Sequence, residues 1–355
     1  MFCCENCFKD VEIKAIVKSF QKGKCSFCEN DDKSGVCDVK ANENLRVAFE
    51  ALLDVYSPVS VDEENYPYGK FDLLKNILHS QWHIFDLDAD KIYDFMITLF
   101  SEKYEEQPDL FDSPIGISVA MDSESLNNYS LLKSSKWEGF VKEIKEVNRF
   151  HTDVMNKEIL FKLLLATCKA YKKGSIFYRA RRCNNPRGHD KDDMGAPPAR
   201  KASAGRVNPE GISCLYLADS IDTTFKEIRA ALHDYVTVAT FELLEDIEVV
   251  NLATLDKISP FQEIDKNMLA VNIPHLQEIG REIAKPLRRH DSHLDYLPTQ
   301  YISDYIKNTG YKGIEYGSTM HENGVNLAFF DEKLFRCIDT KTYDVEKLDY
   351  KYNEL

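Results

Sequence analysis

The stretch Lys172-Lys173-Gly174-Ser175-Ile176-Phe177-Tyr178-Arg179-Ala180-Arg181 is where the texture of the chain changes. Before it, apolar residues recur at helical spacing. Leu45, Phe49, Leu52, Leu53 and Tyr56 form one stripe, and Ile92, Phe95, Met96, Leu99 and Phe100 repeat it. Trp137, Phe140, Val141 and Ile144 begin a third stripe, and 159–171 reads as a mostly buried helix. Turn signals at Tyr66-Pro67-Tyr68-Gly69 and Gln107-Pro108-Asp109 separate these runs. After the boundary the segments are short and β-prone: 175–178, 212–217, and 235–241 with Val236, Val238 and Thr240 on one side. Asp222-Thr223-Thr224 offers a helix N-cap for a short helix over 225–232, and 311–316 and 325–330 read as closing strands. The expected class is α+β. A cysteine-rich segment (1–40) precedes a helical domain (41–172), a mixed α/β domain (173–340) and a charged tail (341–355).

With 355 residues, 43% hydrophobic and 29% charged, the chain is long enough for two cores and has an ordinary globular balance. No apolar run approaches a membrane span, and the N-terminus lacks the basic and apolar regions of a signal peptide, so a soluble cytoplasmic protein is expected. The net charge of −14 gives no signal for a nonspecific nucleic-acid binder, which needs a basic face.

Six of the ten cysteines lie before residue 38. Cys4-Glu5-Asn6-Cys7 and Cys25-Ser26-Phe27-Cys28 are two C-x-x-C pairs, a spacing that lets both thiolates of each knuckle face one metal. A structural Zn²⁺ held by Cys4, Cys7, Cys25 and Cys28 is expected, with Cys3 and Cys37 close enough to replace one ligand. Redox-active thiols are the competing reading.

In this acidic chain the basic residues concentrate between Arg179 and Arg206, which asks for an anionic ligand. Arginine suits phosphate because its planar fork donates to two oxygens in parallel. Pro186, Gly188, Pro197 and Pro198 make a solvated loop the alternative.

The segments Phe177-Tyr178-Arg179-Ala180-Arg181, Gly205-Arg206-Val207-Asn208-Pro209 and Leu215-Tyr216-Leu217-Ala218 resemble the RES family in order and spacing. Phe225-Lys226-Glu227-Ile228, Gly313-Ile314-Glu315-Tyr316-Gly317-Ser318 and Asn326-Leu327-Ala328-Phe329-Phe330 continue the match, over roughly 172–338. The N-terminal half is similar to the HEPN-like domain that precedes RES in some bacterial proteins. The resemblance implies a fold like that of ADP-ribosyltransferases and a bacterial toxin or antiphage-defence effector that consumes NAD⁺. The reaction would be phosphorolysis or hydrolysis of the nicotinamide–ribose bond, with ADP-ribosyl transfer to a macromolecule as the alternative. Glu227 would act on the developing ribosyl cation. Arg179 and Arg206 would hold the pyrophosphate, Tyr178 or Tyr216 would stack on nicotinamide, Asn208 would join the binding residues, and Ser318 would orient Glu227 or bond ribose. The loop from Arg181 to Gly205 is longer than in shorter RES proteins, as a lid or acceptor site would be. Because NAD⁺ loss is toxic, an antitoxin or activator protein is an expected partner, and the helical half is the natural place for partner recognition or homo-oligomer formation.

Two other readings compete. A HEPN ribonuclease needs an arginine and a histidine separated by four to six residues on a helix. Arg46, Arg149, His79, His83 and His151 do not supply that spacing; Arg182 and His189 do, in a loop of the other half. A non-enzymatic, zinc-bearing binding module would not need Arg179, Arg206, Glu227 and Ser318 together.

Overall fold

Phe8 and Phe27 show how a cysteine-rich segment too short for a core of its own is held in place. The structure is a computed structural model that describes residues 1–19, 21–28, 35–59, 66, 71–133, 136–285 and 292–349. Strands β1 (Phe2–Cys4) and β2 (Val36–Asp38) pair antiparallel, with helix α1 (Val11–Val17) between them in sequence. Phe8 and Phe27 reach from this segment into a ring cluster with Phe49, Phe85 and Phe95, centroids 5.2 to 5.7 Å apart. Offset and edge-on rings at such distances add to the burial of their area.

Phe49 lies on α2 (Glu43–Leu53), whose first turn is capped by Asn42 accepting from the Leu45 amide at 3.0 Å. The strands β3 (Tyr56–Pro58) and β4 (Ile115–Ile117) pair across a run of helices. These are α3 (Leu74–Ser80), α4 (Ala89–Leu99), α5 (Ser101–Glu106) and α6 (Asp109–Asp112), followed by α7 (Ser123–Tyr129). Farther on come α8 (Trp137–Lys142) and α9 (Lys157–Leu165). The turn read at 67–69 lies outside the described residues.

Two compact units result. One comprises Met1–Ser134, Met155–Ala166 and Lys257–His275; the other comprises Ser135–Val154, Thr167–Asp256 and Leu276–Leu355. The division is therefore less linear than a single boundary at residue 172. In the first unit the fully buried Asn272 accepts from the Leu131 amide and donates to the Tyr129 carbonyl, both at 2.7 Å, tying a distant segment into the core. The long helix read over 159–171 stops at Leu165. Its last residues become β5 (Cys168–Tyr171), where Lys169 and Tyr171 alternate toward one buried partner, Glu315.

The second unit continues through β6 (Ile176–Cys183), β7 (Leu215–Ala218), α10 (Ile221–Glu227), β8 (Tyr235–Leu243) and β9 (Ile247–Asn251). Helix α11 (Lys266–Ala284) begins in the first unit and enters the second at Leu276, and then come α12 (Leu297–Asn308), β10 (Gly313–Gly317), β11 (Val325–Phe329) and β12 (Phe335–Asp344). The strands form one sheet in the order β12-β8-β6-β7-β11-β10-β9-β5. Each pairing is antiparallel except β10 with β9. Phe177, Leu215, Leu217, Phe241, Leu327 and Phe329 build the main core on one face. On the other face Ala180, Val236 and Val238 pack against Ile221, Phe225 and Ile228, which seats α10 over β6 and β7.

Two expectations change here. Residues read as the start of a charged tail extend β12 to Asp344, and Arg336, Asp339 and Lys341 stand on an edge strand, where charge discourages further pairing. The helix placed at 225–232 begins earlier. Ser220, rather than Asp222, caps it by accepting from the Thr223 amide at 3.2 Å, and Arg229 at φ +50° marks its end.

Candidate functional site

Cross-strand register sets the floor of the site. Tyr178 on β6 faces Ala218 on β7, Ala218 faces Asn326 on β11, and Asn326 faces Tyr316 on β10, so four side chains share one row. Over this row lies a cavity of about 230 Å³, bordered also by Arg179, Tyr216, Thr224 and Glu227. Ala218 is the small member of the row. Its methyl group leaves the room that a larger side chain would fill.

Glu227 sits on the last turn of α10, half-buried, and its Oε1 accepts two hydrogen bonds. The Ser318 hydroxyl donates at 2.5 Å and the Asn326 amide at 2.7 Å. Ser318 is itself fixed, because its Oγ accepts from the amides of Met320 and His321, each at 3.1 Å. His321 Nδ1 lies 2.8 Å from Thr223 Oγ1, which donates to Asp219 at 2.8 Å one turn before Glu227. The loop carrying Ser318 and the helix carrying Glu227 are thus latched together twice. Oε2 of Glu227 has no hydrogen-bond partner among the described residues.

Arg179 lies where β6 and β7 part. These strands share one register pair, and Arg179 Nη1 donates beyond it to the Tyr216 carbonyl at 3.1 Å. Its Nε is buried without a partner among the described residues, and no carboxylate pairs with it there. Burial first, and Arg181 second, lower this guanidinium to about 10. A buried cation short of an anion is a costly arrangement unless a ligand supplies the missing charge.

Arg206 lies with its guanidinium 5.7 Å over the ring of Tyr316 and donates to the Ile283 carbonyl at 3.4 Å. Its loop is built tightly. The Thr299 hydroxyl donates to the Arg206 carbonyl at 2.8 Å, and the Gln300 amide to the Gly205 carbonyl at 2.7 Å. A Cβ at Gly205 would come within 2.7 Å of the Tyr216 hydroxyl, so this close approach needs glycine. Burial raises the phenol pKa of both Tyr216 and Tyr316 and keeps them neutral.

The structure brings Glu227, Ser318, Arg179, Tyr178 and Tyr216 to one place. Asn208 serves differently from the expectation. Its amide nitrogen bonds the carbonyls of Ser203, Pro209 and Ile212, and its oxygen accepts from the Tyr216 hydroxyl at 2.6 Å. With its polar atoms spent, Asn208 shapes the Arg206 loop rather than meeting a ligand.

Three basic residues of the long loop, Arg181, Arg182 and Lys191, are likewise committed. Arg181 donates to the Asp193 carbonyl, Arg182 to the Ile228 and Arg229 carbonyls and to Asp234, and Lys191 to the Ile338 carbonyl. His189 bonds the Arg182 carbonyl at 3.0 Å, so the Arg182–His189 pair is occupied within its own loop. Asn326 and Tyr316 escaped the sequence reading. Both stood inside quoted motifs, but only the register shows that they share a row with Tyr178.

In the first unit, Cys4, Cys7, Cys25 and Cys28 place their sulfurs within 4.8 Å of one another. The close pairs are Cys4–Cys28 and Cys7–Cys25 at 3.4 Å and Cys4–Cys7 at 4.0 Å. The Cys7 hydrogen bond, chief among several, lowers Cys25 to about 4, while burial pushes Cys4 up to about 12. Cys3 and Cys37 lie outside the quartet and meet each other at 3.4 Å.

Fold and cavity together define an α+β domain that presents a clamped glutamate among tyrosines, with Arg179 at its border. The RES domain family matches residues 176–353, and the chain belongs to that family. Among solved structures it is similar to a chain of the M. tuberculosis MbcT-MbcA toxin-antitoxin complex. The identity is 16% over 53% of this chain and 93% of that one, with a TM-score of 0.33. A comparison with curated proteins finds no match. Among the described residues, no helix is long and apolar enough to cross a membrane.

Proposed function

We propose that this RES domain degrades NAD⁺ by breaking the nicotinamide–ribose bond, through phosphorolysis or hydrolysis, and that the chain acts as a toxin or defence effector. One observation carries the reading: Glu227 is fixed through one oxygen by two uncharged donors, leaving its other oxygen for a ligand in a tyrosine-lined cavity. Loss of nicotinamide leaves positive charge on the ribosyl ring, and a carboxylate already aimed at that ring stabilises the charge as it develops. Arg179 and Arg206 would take the pyrophosphate, and Tyr178, Tyr216 or Tyr316 would border the departing base. The cavity of about 230 Å³ is smaller than the roughly 300–1,000 Å³ of whole-ligand pockets, which suits one end of a dinucleotide. The arriving water or phosphate oxygen forms the new bond at the ribose carbon that nicotinamide leaves.

The four thiolates fit a closed Zn²⁺ sphere. Zn–S bonds of about 2.3 Å in a tetrahedron separate the sulfurs by roughly 3.8 Å, and the observed close pairs lie on either side of that value. Such a zinc would supply folding free energy and no chemistry. The helical unit, HEPN-like in sequence, is then the natural seat for an antitoxin or activating protein.

The test is to incubate the purified protein with NAD⁺, with and without phosphate, and to identify the products. Nicotinamide with ADP-ribose, or with its phosphate, supports the proposal. NAD⁺ left intact overturns it, and ADP-ribose on a protein moves the assignment to a transferase.

A further inference from the structure

We propose that Cys3 and Cys37 form a reversible oxidation site, a dithiol that closes to a disulfide independently of the four-thiol cluster beside it. The two residues are directly opposite each other in the antiparallel β1–β2 pair, and their sulfurs lie 3.4 Å apart. Directly opposed antiparallel residues hold their Cα atoms about 4.5 or 5.5 Å apart. Both values lie within the roughly 4.4–6.8 Å span of disulfides, so closure needs side-chain rotation and no backbone travel.

The neighbouring quartet does not compete for this pair, because its four sulfurs converge on one another and exclude Cys3 and Cys37. The two thiols also differ in access. Cys3 is fully buried and Cys37 is half-buried, so Cys37 meets the oxidant and Cys3 resolves the product. The hydrogen bond from Cys3 favours the Cys37 thiolate, the attacking form, against the burial that opposes it. Buried structural cysteines are otherwise inert. What sets this pair apart is a partner sulfur already in place.

With hydrogen peroxide as oxidant, the Cys37 sulfur attacks one oxygen and the O–O bond breaks. The result is a sulfenic acid and the first water. The Cys3 sulfur then displaces the hydroxyl as a second water while the S–S bond forms. Both thiol protons end in the two waters, and peroxide is the species reduced.

The experiment treats the full-length protein with hydrogen peroxide, blocks the remaining thiols with iodoacetamide and maps the peptides by mass spectrometry, with bound metal measured before and after. The proposal expects a single Cys3–Cys37 link, lighter by two hydrogens, that dithiothreitol reverses and Cys37→Ser abolishes, at unchanged metal content. A link from Cys3 or Cys37 to any of Cys4, Cys7, Cys25 or Cys28 would overturn it. So would full alkylation of both residues after oxidation.

Discussion

Two glutamates in the second unit stand in opposite chemical circumstances. Glu315 on β10 is 3% exposed, and both of its oxygens accept from Lys169 Nζ at 2.9 Å while the Tyr171 hydroxyl bonds Oε2. Its charge is matched by a cation, and its lone pairs are largely taken. Glu227 is half-buried, meets only the uncharged donors Ser318 and Asn326, and takes both on the same oxygen. A saturated, paired carboxylate holds structure together. An anchored carboxylate with an oxygen to spare is equipped to act on something that arrives. Their sequence contexts do not distinguish them, since each lies within a family-like motif. Strand alternation does: Tyr316 borders the cavity, and its neighbour Glu315 points to the other face, where Lys169 and Tyr171 wait.

Substitutions can sharpen or break this contrast. Glu227→Gln keeps the shape and deletes the charge, and it is expected to cut nicotinamide release by about a hundredfold or more. Affinity for intact NAD⁺ should hardly move, because the contribution belongs to the transition state; isothermal titration reads that half of the claim. Ser318→Ala and Asn326→Ala each free Oε1 from one donor, and each should lower kcat by about tenfold, the scale of one hydrogen bond to a charged group. Since either loss lets the carboxylate rotate, the double variant should lose less than the product of the two. Fully multiplicative losses would mean that Ser318 and Asn326 act separately.

Arg206→Ala should weaken NAD⁺ binding by about tenfold through loss of a charge-assisted contact, with partial recovery in Arg206→Lys. Unchanged affinity in a binding titration would reduce Arg206 to a loop residue stacked on Tyr316. The smallest catalytic effect belongs to Glu315→Gln. It should cost about 1–3 kcal/mol of stability by leaving Lys169 unmatched, seen as a lower melting temperature, while turnover stays within about twofold.

The contrast between the glutamates was only partly legible in the sequence. The cysteine quartet was, because two-residue spacing determines which thiols share a knuckle. Strands β6, β7, β8, β10 and β11 were legible too, and the motifs on and beside them held Glu227, Ser318, Tyr178 and Tyr216, which lie together in the structure. What stayed hidden depends on partners far along the chain. Edge strands β5 and β12 carry lysines, arginines and aspartates, so local pattern made one the end of a helix and the other a tail. Asn208 looked like a ligand residue because its role as a loop brace appears only with Ser203, Ile212 and Tyr216 around it. Helices α11 and α12 gave no reading at all, although α12 supplies Thr299 and Gln300 to hold the Arg206 loop. Asn326 needed the β10–β11 register to become visible.

The most direct test of the account is the rate of nicotinamide release from NAD⁺ by the wild type, Glu227→Gln and Glu315→Gln, measured side by side on folded protein. The account predicts that the Glu227 variant falls by about a hundredfold or more, while the Glu315 variant keeps a rate within about twofold of the wild type. A folded Glu227→Gln protein releasing nicotinamide at the wild-type rate would contradict it, most clearly if Glu315→Gln were the variant that lost activity.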